Sequence, residues 1–387
     1  MEQAEDADVC PPLQRLHIAT HPTPTTPASM SSSKINNNYQ CGSPSAYSDT
    51  SSQPSPELSS TSWVSHPSPA RAQQQLQQKR EEAQHHRRVV SLEIHKYLAS
   101  LDAEAASTPC VEKLELGAVL GEGAQATVRE AQYAGHTVAA KSPRSKMAIA
   151  ALYREAGVLQ HLHRHPLAQK YLTGFVALKE DDKAPLLLLE RAQSDLWRLI
   201  EEARTEAARD APVFGEVGWR ALALSAASSV AYLHSIGFVH GDIKPENFLV
   251  FGSGDERTLK LTDFEAATST DPTSPFAADK QTGGIAGTHY TTAPELLRMD
   301  AGGSTTASDC FALGVTLLCL ATGEQPYAGA RNGIESVMMA QSGNPVRYAQ
   351  NQGRLVPRVL EIVQGLCCKK PEERWSAEEC LRRLEAM

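Results

Sequence analysis

The feature that most constrains the fold is a change of period part-way along the chain. Between residues 113 and 190 the apolar residues come in runs of strand length. KLELGAVL, ATVREAQY and HTVAAK alternate, carry β-branched side chains and are separated by glycine, which predicts three antiparallel strands joined by hairpins. A helix-forming stretch, MAIAALYREAGVLQHL, follows, then two more apolar runs, FVALKE and PLLLLE. After Asp195 the periodicity is helical, in DLWRLIEEARTEA, GWRALALSAASSVAYLHSIG, CFALGVTLLCLATG and the closing RWSAEECLRRLEAM. A strand-rich half followed by a helix-rich half implies an α+β unit of two lobes, with a small antiparallel β-rich lobe first and a larger helical lobe second. The cleft between such lobes is a natural ligand site.

A unit of this kind needs roughly 250 residues, and the chain has 387. Residues 1–70 are dominated by Ser, Thr, Pro, Asn and Gln, a composition that cannot bury enough apolar surface to offset ordering entropy, so a disordered tail is expected there. Ser-Pro and Thr-Pro pairs at Thr23, Thr26, Ser43, Ser55 and Ser68 read equally as acceptors for a proline-directed enzyme or as chance pairs in such a tail. Residues 71–108 form a linker rich in helix formers, with Val90, Ile94, Tyr97 and Leu101 on one stripe. That stripe suits either the following domain or a regulatory partner, and a solvated nascent helix is the alternative.

A formal net charge of −8 gives no electrostatic footprint for nucleic acid. The eight cysteines contain no C-x-x-C pair, so neither a zinc site nor a disulfide framework is indicated. The acidic start MEQAEDADVC has no apolar segment and no stretch approaches membrane-spanning length, so a soluble chain without membrane insertion is expected, in the cytoplasm, with the nucleus also open.

Two motifs carry the chemistry. HGDIKPEN occupies positions 240 to 247 and TDFE positions 262 to 265, so a carboxylate, a lysine and a carboxamide are followed closely by a second carboxylate. Upstream stand Gly121-Glu122-Gly123-Ala124-Gln125-Ala126-Thr127-Val128, then Val138-Ala139-Ala140-Lys141, then Glu155 in YREAGVLQHL. Downstream stand THYTTAPE, ending in Glu295, and KKPEERWS, which contains Arg374. Taken together and in this order, the motifs over residues 113–387 resemble the eukaryotic protein kinase domain, most closely its serine/threonine branch.

The resemblance implies a bilobal fold and phosphoryl transfer from ATP, with Mg²⁺, to protein Ser/Thr hydroxyls. Leu120, Gly121, Gly123 and Val128 would cover the nucleotide, and Lys141, held by Glu155, would neutralise phosphate charge. Leu159, one turn beyond Glu155, would face the core. Ala139 and Leu249 would enclose adenine, Leu189 would stand at the gatekeeper place, and the backbone from Glu190 to Ala192 would meet the adenine edge. Asp195 would reach a ribose hydroxyl or cap the next helix. Asp242 would accept the hydroxyl proton, Lys244 would sit by the transferring phosphoryl group, and Asn247 and Asp263 would ligate Mg²⁺. Phe264 would pack under the helix that carries Glu155, with His240 below. Thr288 would bridge Asp242 and Lys244, Glu295 would pair with Arg374, and Asp309 would cap the catalytic loop.

Four positions depart from the family pattern. Ala126 replaces a third glycine, and Gly241 stands where an arginine normally receives an activation-segment phosphate, which implies activity without that phosphate. Glu265 replaces the glycine after Asp-Phe, and Thr291 replaces a tyrosine. These changes keep a second class open, a pseudokinase scaffold that binds nucleotide without transfer. H-G-D followed by Asn also occurs in small-molecule phosphotransferases, a third reading.

Overall fold

The protein's computed structural model describes residues 114–180, 184–206, 213–278, 290–298 and 302–387. The expected tail and linker helix, and Thr288 with its neighbours, lie outside the described residues. The first lobe is built on β1 (Glu115–Glu122), β2 (Ala126–Tyr133), β3 (His136–Pro143), β4 (Phe175–Lys179) and β5 (Leu186–Glu190), an antiparallel sheet in the order β1-β2-β3-β5-β4. Helix α1 (Lys146–Leu162) and the short α2 (Ala168–Tyr171) connect β3 to β4. The β2–β3 hairpin closes on Ala134 and Gly135, both at positive φ (51° and 78°), the mirror-image turn whose twist matches paired strands.

Strand β5 shows why four consecutive leucines suit this place. Side chains alternate across a sheet, so Leu187 and Leu189 join the main core while Leu186 and Leu188 join a smaller one with Ala131, Val138 and Ala140. A strand covered on both faces needs an unbroken apolar run. The same alternation on β3 buries Val138 and Ala140, so Ala139 and Lys141 point to the opposite face, toward the second lobe.

The second lobe begins with β6 (Ser194–Asp195) and α3 (Leu196–Glu206), followed by α4 (Gly215–Ser235). Four short strands come next: β7 (Phe238–Val239), β8 (Phe248–Phe251), β9 (Thr258–Leu261) and β10 (Thr268–Ser269). The chain ends in α5 (Thr306–Thr322), α6 (Gly333–Gln341), α7 (Pro345–Tyr348), α8 (Pro357–Leu366) and α9 (Ala377–Glu385). Every residue of α5 from Ser308 to Thr322 is buried, as an all-round apolar helix requires. Main-core residues come from α1, β5, α4, β8, β9, α5, α8 and α9, so one apolar body underlies both lobes.

Three helix starts differ from the sequence reading by more than one position, and one is α4, which begins at Gly215 rather than Gly218. Helix α5 begins at Thr306 rather than Cys310, because Thr305 and Ser308 form a reciprocal capping box. Helix α9 begins at Ala377 rather than Arg374, because Ser376 accepts from Glu379 N at 3.1 Å and stops the helix extending backward. Strands β6 to β10 span only two to four residues, too short for a period to register. Helix α8 does carry a legible stripe, Val359, Ile362, Val363 and Leu366, that the reading passed over.

Gly365 lies in α8 against the Trp375 indole, and an added Cβ would come within 2.5 Å of three of its ring carbons, closer than real Cβ contacts allow. Gly365→Ala should therefore destabilise the protein by about 1–3 kcal/mol, outweighing the roughly 0.8–1.0 kcal/mol that alanine adds to a helix interior. A thermal scan should show the midpoint falling by several degrees; a rise would contradict the packing described.

Candidate active site

Two hydrogen-bonded groups meet in the cleft between the lobes. In the first, Lys141 at the end of β3 donates from Nζ to Glu155 Oε2 at 2.7 Å and to Asp263 Oδ1 at 2.9 Å. Glu155 is on the buried face of α1 with Leu152 and Leu159, and only 1% of it is exposed. Burial alone would lower the Lys141 pKa, yet the Glu155 and Asp263 carboxylates outweigh it and hold the ammonium above the ordinary lysine range. Burial also works against ionisation of Asp263, but Lys141 overcomes it and the carboxyl stays below its usual range. Glu155 is buried more completely and is pushed upward despite Lys141, leaving it the weaker acid of the two.

Asp263 has a left-handed backbone, φ 64°, which costs a non-glycine residue roughly 1–2 kcal/mol. Three contacts hold it there. Lys141 takes its side chain; Phe264 is fully buried with its ring 5.2 Å from that of His240. Arg154, beside Glu155 on α1, donates to Glu265 O at 2.7 Å and to Ala267 O at 2.6 Å. Strain persists where its surroundings over-determine it.

The second group belongs to the loop between β7 and β8. Lys244 Nζ donates to Asp242 Oδ2 at 2.6 Å, and Asn247 Nδ2 donates to Asp242 O at 2.8 Å and to Oδ2 at 3.1 Å. The Asp309 carboxylate, 2% exposed in the first turn of α5, accepts from His240 N at 2.7 Å and from Gly241 N at 2.9 Å. The fully buried His240 bonds through both ring nitrogens: Nε2 donates to Thr262 O at 2.9 Å, and Nδ1 accepts from Asp242 N at 3.3 Å. Thr262 N in turn donates to Asn247 O at 3.0 Å, tying this loop to the strand end that carries Asp263.

The hinge between lobes is pinned at both ends, Glu190 N donating to Gly174 O at 2.9 Å and Gln193 N to Val250 O at 3.1 Å. The Glu190 carboxylate is drawn to Lys260 Nζ at 2.6 Å, so only its backbone faces the role expected of it. Leu189 and Ala192 are buried beside it, and Leu120, Val128, Ala139 and Leu249 are half-buried. Asp195 Oδ1 accepts from Arg198 N at 2.9 Å, so that oxygen caps α3. Arg374 makes a two-pronged pair with Glu295 at 2.7 and 3.0 Å.

The sequence reading missed Arg154 and the hydrogen bond from Tyr290 OH to Glu246 Oε2 at 2.7 Å. Arg154 was hidden by its neighbour: adjacent helix positions point about 100° apart, and only Glu155 had an assigned partner.

The residues fit a magnesium nucleotide. Neither Gly121 nor Gly123 is at positive φ, and an added Cβ would meet nothing within 4 Å at Gly121 and only Ala126 O, at 3.7 Å, at Gly123. The fold itself therefore does not demand glycine there, whereas close approach of a phosphate would. The Asn247 amide nitrogen is turned to Asp242, which leaves its oxygen, with the Asp263 carboxylate, as hard donors of the type Mg²⁺ takes. Among the described residues no three His, Cys, Asp or Glu side chains converge on a metal position, and Mg²⁺ ordinarily needs only one or two carboxylates beside phosphate oxygens.

A family model described as the protein kinase domain matches residues 114–384. The chain belongs to the protein kinase domain family. This kinase domain is similar to CDPK-related kinase 7 of Arabidopsis thaliana, at 30% identity over 254 residues, 64% of the chain and 40% of the relative. It is also similar to CDPK-related kinase 8 of the same plant (29% over 283 residues, 70% and 43%) and to serine/threonine-protein kinase SULU of Caenorhabditis elegans (34% over 171 residues, 43% and 16%). The chain spans less than half the length of each of these three relatives.

Replacing Lys141 with Met should cost about 3 kcal/mol at neutral pH, since it strips a buried carboxylate of its partner. Without the ammonium, burial raises the folded-state pKa of Glu155 further above its unfolded value. The penalty is then greatest above the ordinary glutamate range and shrinks as pH falls and Glu155 takes up a proton. Urea unfolding of native and variant chains at neutral and mildly acidic pH checks this; a penalty that grows toward acid would contradict it.

Proposed function

We propose that the chain is a serine/threonine protein kinase that transfers the γ-phosphoryl group of Mg-ATP to hydroxyls of protein substrates. The observation that carries this reading is the junction of the two groups, Lys141–Glu155–Asp263 and Asp242–Lys244–Asn247, through Thr262 and His240. Phosphoryl transfer asks a protein for positioning and charge compensation more than for covalent chemistry.

Asp242 accepts the proton of the acceptor hydroxyl as the hydroxyl oxygen bonds to the γ-phosphorus and the bond from that phosphorus to the departing ADP breaks. Lys244, already on Asp242 Oδ2, keeps positive charge beside that event. Lys141 binds phosphate oxygens and Glu155 fixes its aim. Asn247 and Asp263 would hold Mg²⁺, which would neutralise phosphate charge. The hinge backbone at Glu190 and Ala192 meets the adenine edge, with Leu120, Val128, Ala139 and Leu249 around the ring. Lys244 in HGDIKPEN and the relatives named serine/threonine kinases support Ser and Thr as acceptors. The Glu295–Arg374 pair supports a protein substrate over a small molecule, because it braces residues 290–295 rather than the nucleotide. Among the described residues no helix is long and apolar enough to cross a membrane.

Purified chain incubated with Mg-ATP and a Ser/Thr peptide library should transfer phosphate, and Asp242→Asn should lower turnover by at least about a hundredfold while leaving nucleotide affinity within a few-fold. Nucleotide binding with no transfer by the native chain would favour the scaffold; transfer only to sugars or amines would favour the small-molecule reading.

A further inference from the structure

The segment after Asp263 takes an unusual course. Strand β10 pairs with β7, Thr268 opposite Val239 and Ser269 opposite Phe238. The chain then turns at Asp271, whose Oδ1 accepts from Thr273 N and Oγ1 at 2.8 Å each, and returns so that Ser269 N donates to Phe276 O at 2.8 Å. Between residues 271 and 278 only Phe276 is buried, at 1% exposure. Its ring lies 5.6 Å from that of His161 and 6.4 Å from that of Phe238, which are themselves 5.6 Å apart. A single large side chain folded back into an aromatic pocket from an otherwise solvated loop is an anchor.

His161 is in the last turn of α1, seven residues after Arg154. Seven residues are close to two helical turns, so both lie on one stripe of α1. That stripe grips the segment twice, through the Glu265 and Ala267 carbonyls and through Phe276. The same helix carries Glu155, so α1 is bonded both to Lys141, which holds Asp263, and to the segment after it. Gly241 completes the picture. It has φ +82°, and an added Cβ would approach Ala266 O to 3.0 Å. A side chain here, arginine included, would press on the carbonyl between the two that Arg154 holds.

We propose that Arg154 and Phe276 are positioning residues that hold Asp263 in its working place, doing by guanidinium and aromatic anchoring what a phosphate on the segment would otherwise do. This rests on the kinase reading above, and on it a chain with glycine at position 241 would need no phosphate on the segment.

The test uses the full chain, before and after phosphatase treatment, as native protein, Phe276→Ala, Phe276→Leu and Arg154→Met. It follows amide hydrogen exchange over residues 264–278 together with kcat and KM for Mg-ATP. Dephosphorylated native chain should exchange slowly and keep turnover within about threefold of untreated chain. Phe276→Ala should speed exchange at residues 268–276 by at least about tenfold and lower kcat by about tenfold with KM within threefold, since misplacement of the catalytic groups costs the chemical step. Phe276→Leu should fall between them, and Arg154→Met should loosen residues 265–267 and raise the Mg²⁺ concentration needed for half-maximal rate. Exchange unchanged by Phe276→Ala in a variant that still melts cooperatively, or a native segment that loosens on dephosphorylation alone, overturns the proposal. A native chain that transfers no phosphate sinks the kinase reading alone, because the exchange measurements decide the anchor by themselves.

Discussion

The ammonium of Lys141 between two carboxylates, at 2.7 Å from Glu155 and 2.9 Å from Asp263, is the interaction on which the rest depends. It joins the end of β3 to the middle of α1, 14 positions on, and to the second residue after β9, 122 positions on. Each part is placed by ordinary packing. The pleat of β3 turns Lys141 away from Val138 and Ala140, the apolar face of α1 carries Glu155 inward, and Phe264 anchors the residue next to Asp263. A buried ion pair of this kind adds little net stability, because desolvation offsets most of the attraction. Its retention in the cleft is better explained by what a pre-arranged cation and carboxylate can do for a phosphate ligand.

The second group is organised differently, by hydrogen bonds to backbone rather than by apolar burial. Asp309 spends both carboxylate oxygens on the amides of His240 and Gly241, and His240 spends both ring nitrogens on Thr262 and Asp242. Both Asp309 carboxylate oxygens and both His240 ring nitrogens therefore have partners, which rigidifies the loop. The loop's rigidity matters because Asp242, Lys244 and Asn247 hold their mutual geometry only if their backbones do.

Much of this was legible in the sequence. The two-lobe architecture followed from the switch between strand and helix periods, and the five strands of the first lobe were each visible as apolar runs. The family resemblance carried by the motifs pointed to Lys141, Glu155, Asp242, Lys244, Asn247 and Asp263, which the fold links through direct bonds or one intervening residue. What escaped were features with no period or motif: strands of two residues, set by register against a neighbour, and Arg154, whose partners are backbone carbonyls more than a hundred positions away. A guanidinium that binds carbonyls leaves no complementary residue in the sequence to betray it. Phe276 escaped for the same reason, since one phenylalanine in a polar loop gains meaning only once His161 and Phe238 are seen around it.

The account's central claim, that Lys141, Glu155 and Asp263 form a seat for a magnesium nucleotide, is tested most directly by the Mg²⁺ dependence of nucleotide affinity. A non-hydrolysable ATP analogue should bind the native chain at least about tenfold more tightly with Mg²⁺ than without, and Asp263→Asn should abolish that gain while binding the metal-free analogue as well as before. A variant that keeps the full Mg²⁺-dependent gain would contradict the account.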